Sequence, residues 1–210
     1  MKTALIMVHY GAASMTEKSL NSFLEHCPET EIYVVDNHSG TLSELREKFA
    51  GTSVQWILLP ENRGYAAGCN AGLSAALTNQ AEYCLVVNND TFVTSNICQI
   101  LEEYSHNINS SAILTGQIRG GEEGVWFTGG HFSLFTMRTY HWTQERPSGL
   151  VSFATGCFLW FPKHLLHQLK AFDEQFFLYW EDVDLALRCQ KQNIPIHYVA
   201  EAILYHSPSS

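Results

Sequence analysis

Basic residues are scarce in this 210-residue chain: 12 Lys and Arg stand against 21 Asp and Glu, a formal net charge of −9. No basic stripe of the kind that binds nucleic acid is present, so nucleic acid is excluded as a partner. An anionic ligand would need a local remedy, such as a metal ion or a helix N-terminus. The 6 cysteines form no C-x-x-C pair and several lie inside apolar runs, as in Tyr83-Cys84-Leu85, which reads as reduced core thiols in a cytoplasmic compartment. The opening Met1–Ile6 has no extended apolar stretch with a cleavage site, so no signal peptide is expected. No run approaches the length of a membrane-spanning helix. Internal repeats, low-complexity tracts and the G-x-G-x-x-G fingerprint are also missing, the last arguing against a dinucleotide site of the usual kind.

What is present is a 46% hydrophobic, 16% charged composition, ordinary for one α/β domain. Its organising stretch is Leu85-Val86-Val87-Asn88-Asn89-Asp90. Three apolar residues suit a strand buried on both faces, and three polar ones end it, since burying them without partners is costly. In open α/β sheets ligands bind at that carboxyl edge, and a carboxylate with two amides can seat a hard cation. Taken alone, Asn-Asn-Asp reads more readily as a turn.

The chain around it alternates. Ala4–Val8 is an apolar strand ending at His9-Tyr10; Ser14-Met15-Thr16-Glu17 reads as a capping box opening a helix; Glu31–Asp36 is a second strand ending on a carboxylate. Thr41-Leu42-Ser43-Glu44 is a second capping box, with a helix to Phe49, and Val54–Leu59 is a third strand stopped by Pro60. This alternation predicts right-handed crossovers and a parallel sheet, which places the ends of these strands on one rim with Asp90. Next, Glu61-Asn62-Arg63-Gly64 opens a helix in which Gly64, Gly68 and Gly72 share a face. Such glycines serve either tight helix-to-sheet packing or a diphosphate near the helix start, with Arg63 supplying charge. Ile97 to Tyr104 predicts an amphipathic helix and Ala112–Leu114 a strand. Gly120–Gly124 reads as a turn, Val125–Phe135 as strand-like, and Thr136–Gly149 as a mobile loop over the site. Val151–Phe161 predicts a strand interrupted at Thr155-Gly156-Cys157, followed by a helix over Lys163–Leu169 with Pro162 at its start. The aromatic run Phe172–Trp180 leads into Glu181-Asp182-Val183-Asp184 at another helix start. A carboxylate beside apolar rings gains basicity, which suits a general base, and the rings offer a platform for a sugar. Pro195–Val199 is a last strand.

The ordered set Val8-His9-Tyr10, Asp36-Asn37, Asn62-Arg63-Gly64 with Gly68 and Asn70, Asn88-Asn89-Asp90, Thr155-Gly156-Cys157 and Trp180-Glu181-Asp182-Val183-Asp184 resembles the family 2 glycosyltransferases, with a rhamnosyltransferase-like branch as the nearest pattern. The resemblance implies a GT-A (Rossmann-like) α/β fold, a mostly parallel sheet with a smaller mixed C-terminal part. It implies a single domain over residues 1–210, with a nucleotide-binding half (1–116) and an acceptor half (117–210). It also implies inverting transfer from a nucleoside diphosphate sugar, deoxythymidine diphosphate rhamnose or a uridine diphosphate sugar, to a glycan or lipid-linked acceptor in bacterial surface polysaccharide synthesis. Peripheral contact with the inner face of the cell membrane stays open.

By residue, the resemblance assigns Asp36 to the pyrimidine base with Val8, His9 and Tyr10 beside it. Asn88 and Asn89 fall near the ribose, and Asn62, Arg63, Gly68 and Asn70 elsewhere on the nucleotide sugar. Asp90 with His206 would hold a divalent cation, Mg²⁺ or Mn²⁺. Thr155, Gly156, Cys157 and Trp180 would line the sugars, and Asp182 would be the catalytic base with Glu181 next to it. Asn88 stands where the family more often has an acidic residue. Two rival readings are a sugar nucleotidyltransferase and a non-catalytic nucleotide- or glycan-binding module. The first wants a basic, Gly-rich loop after strand one, and His9–Ser14 carries no cation.

Overall fold

The structure is a computed structural model that describes residues 2–120, 124–133 and 135–206. Most of the turn read over Gly120–Gly124 therefore lies outside the described residues.

The first half follows the predicted alternation: β1 (Thr3–His9), α1 (Ala13–His26), β2 (Glu31–Asp36), α2 (Leu42–Lys48), β3 (Gln55–Leu58), α3 (Gly64–Thr78) and β4 (Tyr83–Asn88). β1, β2 and β4 are parallel neighbours and almost wholly buried, as their unbroken apolar runs require. Both capping boxes fail in detail. Ser14 lies inside α1, whose N-cap is Ala12 without a side-chain bond. Thr41 is the N-cap of α2, but its hydroxyl accepts from none of the helix N–H groups and donates to the Gly11 carbonyl at 3.0 Å.

The second half adds β5 (Thr91–Phe92), α4 (Ile97–Asn107), β6 (Ile113–Gly120), β7 (Val125–Phe127), β8 (Gly130–Ser133), β9 (Arg138–His141), β10 (Gly149–Val151), β11 (Phe158–Pro162), α5 (Lys163–Leu169), α6 (Glu181–Lys191) and β12 (Ile196–His206). One sheet runs β10-β12-β6-β11-β4-β1-β2-β3, with β5 on β12 and β7 on β6. β11 is antiparallel to both β4 and β6, and its first residue, Phe158, lies opposite Val87. The segment entering β11, Thr155–Cys157, thus arrives at the rim where β4 ends. β12 is longer than its apolar run predicts; past an irregularity between Val199 and Ile203 it pairs His206 with Thr91, one residue from Asp90. The predicted strand Val125–Phe135 is broken into β7 and β8 at Thr128-Gly129. Part of the predicted loop over Thr136–Gly149 is strand: β9 pairs with β8, Gly130 opposite His141.

Of the three aligned glycines, two serve packing. A Cβ on Gly68 would lie 2.9 Å from Val8 Cγ1, and one on Gly72 would lie 2.5 Å from Ile6 Cγ2. α3 thus rests directly on β1, and Gly68 faces the sheet at Val8.

Candidate active site

Two neighbouring cavities open along the rim. The first, about 330 Å³, is floored by the ends of β1 and β4, with Val8, Tyr10, Asn88, Asn89 and Asp90 on its wall. Asn37, Asn62, Gly64 and Tyr65 line its far side, and Phe177 and Leu178 close it. The second, about 260 Å³, holds Glu181 and Asp182 opposite His141 and Thr139, with Phe153, Thr155, Tyr179 and Trp180 around them. Asp90 lines the first cavity and Asp182 the second, while Asp36 is among the lining residues of neither.

The wall between them is built on Tyr65 and Gly156. The Tyr65 hydroxyl donates to the Gly156 carbonyl at 3.0 Å, and its backbone N–H donates to the Phe177 carbonyl at 2.8 Å. The Gly156 N–H donates in turn to Asp182 Oδ2 at 3.1 Å. The segment from Phe177 crosses the wall: Phe177 and Leu178 face one cavity, Tyr179 and Trp180 the other. Tyr179 and Trp180 both adopt left-handed backbone, φ 68° and 74°. Two consecutive aromatic residues there store roughly 1–3 kcal/mol of strain each, of the sort concentrated at functional sites.

On the nucleotide side, Asn37 is the clamp. Its Nδ2 donates to Asn62 Oδ1 at 2.9 Å and to the Gly64 carbonyl at 3.1 Å, and its Oδ1 accepts from the Arg63 N–H at 3.0 Å. This ties the loop before α3 to the end of β2. Asp36 is buried, with Oδ1 accepting from the Ser39 N–H at 3.0 Å. His9 is enclosed as well: Nδ1 bonds Thr16 Oγ1 at 2.7 Å and Nε2 bonds Thr41 Oγ1 at 3.0 Å. Asn89 Nδ2 donates to the same Thr16 hydroxyl at 2.9 Å. The network is satisfied when Asn89 donates to Thr16, Thr16 to His9, His9 to Thr41 and Thr41 to Gly11. That requires a neutral imidazole, in keeping with the burial that lowers its pKa. His9 therefore orients Asn89 and does not itself reach the cavity. Two further residues are turned away. Arg63 pairs with Glu174 at 2.7 Å on the exposed side, and Asn70 bonds the Phe172 carbonyl at 2.9 Å.

Among the described residues lining the first cavity there is no Lys or Arg, so a diphosphate there would lack a counter-charge from this chain. Asp90 could hold a cation. Its Oδ1 is buried without a hydrogen-bond partner, and its Oδ2 lies 3.2 Å from His206 Nε2. An orphaned carboxylate oxygen beside an imidazole fits a first-row ion such as Mn²⁺ better than Mg²⁺, which prefers an all-oxygen shell. Trp126 stacks on His206 with centroids 5.4 Å apart and orients it. No group of three or more His, Cys, Asp or Glu suited to a metal occurs among the described residues, so further positions would fall to ligand oxygens and water.

On the other side of the wall, Asp182 Oδ1 accepts from the Val183 N–H at 2.8 Å. Burial raises its pKa, opposed by backbone N–H groups and by His141. Glu181 is raised by burial too, and its Oε2 is buried with no partner. Burial keeps His141 below its usual pKa. Of the other lining residues, Asn37 stood in the ordered motif set without a role of its own, the aromatic run pointed toward Phe177 and Leu178, and the loop read over Thr136–Gly149 pointed toward Thr139 and His141; Tyr65 and Phe153 were not singled out.

A mixed sheet with its ligand rim at the ends of β1, β2 and β4 is the GT-A glycosyltransferase architecture. The crystal structure of GalNAc-T7 with UDP, GalNAc and Mn²⁺ superposes with a TM-score of 0.85 at 11% identity, covering 99% of this chain and 44% of that one. That of S. aureus TarS in complex with UDP-GlcNAc gives 0.75 at 17% identity, covering 100% and 59%. At such identities the likeness establishes the fold alone. By sequence, residues 4–170 match the family described as Glycosyl transferase family 2, and the chain belongs to that family. Over 200 residues it is 26% identical to the low-salt glycan biosynthesis hexosyltransferase Agl10 of Haloferax volcanii, covering 92% of this chain. The chain spans 63% of the length of that relative. No helix among the described residues is long and apolar enough to cross a membrane, and the six cysteines are free and buried.

Proposed function

We propose that this chain transfers a hexosyl group from a nucleoside diphosphate sugar to an acceptor hydroxyl, with inversion at the anomeric carbon. One observation carries the reading: the Gly156 N–H holds the Asp182 carboxylate of the second cavity, while the Gly156 carbonyl is held by Tyr65, which lines the first cavity together with Asp90. Family membership and the hexosyltransferase relative support it.

The nucleotide sits in the first cavity, over the ends of β1 and β4, where the Asn37–Asn62 clamp, next to the buried Asp36, shapes the far wall. Asp90 and His206 would hold a divalent cation, Mn²⁺ in preference to Mg²⁺, which when bound neutralises charge on the diphosphate. Asp182, fixed through both oxygens by backbone N–H groups, takes the proton of the acceptor hydroxyl as that oxygen attacks the anomeric carbon. The bond to the diphosphate oxygen breaks on the opposite face, and its electron pair leaves with the diphosphate. Raised basicity from burial favours that proton transfer. A uridine diphosphate sugar is the first candidate donor, because the solved neighbours carry UDP or UDP-GlcNAc; deoxythymidine diphosphate rhamnose is the second. The acceptor is a glycan, free or lipid-linked.

The test is a panel of nucleoside diphosphate sugars with Mn²⁺ and mixed glycoside acceptors, read by nucleoside diphosphate release and by the anomeric coupling of the product. Release of diphosphate with the product anomer opposite to the donor's supports the proposal. Retained configuration, or pyrophosphate release from a nucleoside triphosphate and a sugar phosphate, overturns it.

A further inference from the structure

The second cavity carries a buried group that the mechanism leaves idle. Glu181 is only 6% exposed, and its Oε2 has no hydrogen-bond partner. An unpartnered buried carboxylate oxygen costs free energy unless a donor arrives. A Cβ on Gly156 would lie 3.6 Å from Glu181 Oε1 and 3.8 Å from Asp182 Cβ, so both carboxylates gather at the same stretch of wall.

The charged groups around the cavity come from two elements. α6 gives Glu181 and Asp182; β9 gives His141, held by stacking on Phe153 and edge-on contacts with Trp126 and Phe127. Thr139 and His141 alternate inward along β9, which turns Arg138 and Tyr140 to the other face. Among the described residues no Lys or Arg lines the cavity. The remaining walls are rings: Phe153, Tyr179 and Trp180, the last braced edge-on by Phe132 with centroids 6.1 Å apart. At about 260 Å³ the space lies below the ~300–1,000 Å³ of drug-sized sites, enough for one ring and too small for an extended chain.

We propose that this cavity is a subsite for one uncharged pyranose, bound through hydroxyls donated to Glu181 and Asp182 with its C–H face on the aromatic walls, and that it rejects acceptors carrying a carboxylate or phosphate on that ring. Sugar hydroxyls can donate to the carboxylates of Glu181 and Asp182, which line the cavity; an anionic substituent donates nothing and meets two acidic side chains with no cation to offset it. The assignment of this pyranose as the acceptor rests on the function proposed above, whereas the binding preference does not.

The experiment is ligand-observed NMR on the full chain with UDP and Mn²⁺. The probes are methyl glucoside, galactoside, mannoside and N-acetylglucosaminide, with methyl glucuronide and galacturonide, which differ from their parents only at C6. The expected result is binding of at least one neutral pyranoside, with its uronide at least about tenfold weaker, equivalent to about 1.4 kcal/mol. In Glu181→Gln that gap narrows to less than about threefold by the same conversion. A uronide bound as tightly as its parent, no binding by any neutral pyranoside, or an unchanged gap in Glu181→Gln overturns the proposal. The wild-type comparison decides even if the variant fails to fold. UDP signals in the same samples separate the two readings: UDP bound without selective pyranoside binding sinks this inference alone. Failure of every nucleoside diphosphate to bind sinks the proposed function while leaving the pyranoside contrast legible.

Discussion

The Tyr65 hydroxyl donates to the Gly156 carbonyl at 3.0 Å, across 91 positions of sequence, and so fastens the first turn of α3 to the segment that anchors Asp182. Burial drives the Tyr65 pKa well above its usual value, which keeps the hydroxyl protonated and donating. Tyr65→Phe removes one hydrogen bond and leaves a carbonyl unmet, a cost of about 1 kcal/mol. The expected outcome is a lower Tm with nucleotide Kd within about twofold of wild type and a larger loss in kcat, since a twofold change in Kd is within the scatter of a single contact. Calorimetry and steady-state kinetics check it; a kcat equal to wild type removes the wall from the mechanism.

Gly64 lies against Phe177 so closely that a Cβ would fall 2.2 Å from the Phe177 carbonyl oxygen, and its φ of +84° disfavours any L side chain. Gly64→Ala should cost roughly 1–3 kcal/mol from backbone strain alone and open the first cavity. Nucleotide binding then weakens along with stability. Gly72→Ala clashes with Ile6 instead and should lower Tm without changing nucleotide Kd in the folded fraction. Titration calorimetry on both variants distinguishes the two glycines; equal nucleotide affinity would mean that Gly64 too is only packing.

Asp182 links activity and stability with opposite signs. Its folded pKa is raised by burial above the unfolded value, so the native state binds the proton more tightly. Stability from this group is therefore fully present below the unfolded pKa and is lost as pH rises through the folded pKa. Transfer needs the ionised form and falls as pH drops through that same raised pKa, giving an acid limb above the ordinary carboxylate range. Asp182→Asn should reduce kcat by about 10²–10⁴, leave nucleotide Kd unchanged, and melt higher than wild type at neutral pH, with the gap closing toward acid. A kcat near wild type would disprove the base assignment.

The cation test uses Asp90. Chelator should abolish transfer, with Mn²⁺ restoring it at lower concentration than Mg²⁺. Asp90→Asn removes the negative charge of the carboxylate that carries the orphaned oxygen and should raise the Mn²⁺ concentration for half-maximal rate by at least about tenfold, comparable to losing a well-placed supporting group at a metal site. Identical cation dependence in the variant would place any metal elsewhere.

Much of the frame was legible because burial on both faces leaves unbroken apolar runs: β1, β2 and β4 fall within a residue or two of where Ala4–Val8, Glu31–Asp36 and Leu85–Val87 put them. Membership of the family was legible from an ordered set of short motifs. The partners of side chains were not. Ser14 and Thr41 read as caps by spacing, yet Thr41 gives its hydroxyl to a carbonyl 30 residues away. Arg63 reads as a phosphate cation, yet Glu174, 111 residues on, neutralises it. Asn37 stood in a recognised motif, but its clamp role and that of Tyr65 were unreadable because their partners lie 25 to 91 residues distant. β9 was read as loop because a short, fully exposed strand has neither a clean alternation nor an apolar run.

The reversed strand β11 also sets the order in which the chain can close. β4 has β1 on one flank and β11 on the other, with Trp160 opposite Leu85. Until residue 162 has left the ribosome, Cys84 to Val87 present a bare hydrogen-bonding edge of wholly apolar character. A fragment ending at residue 116 would keep that edge for good and should self-associate, so the nucleotide-side half is no detachable module: its middle strand is completed only by residues synthesised some seventy positions later.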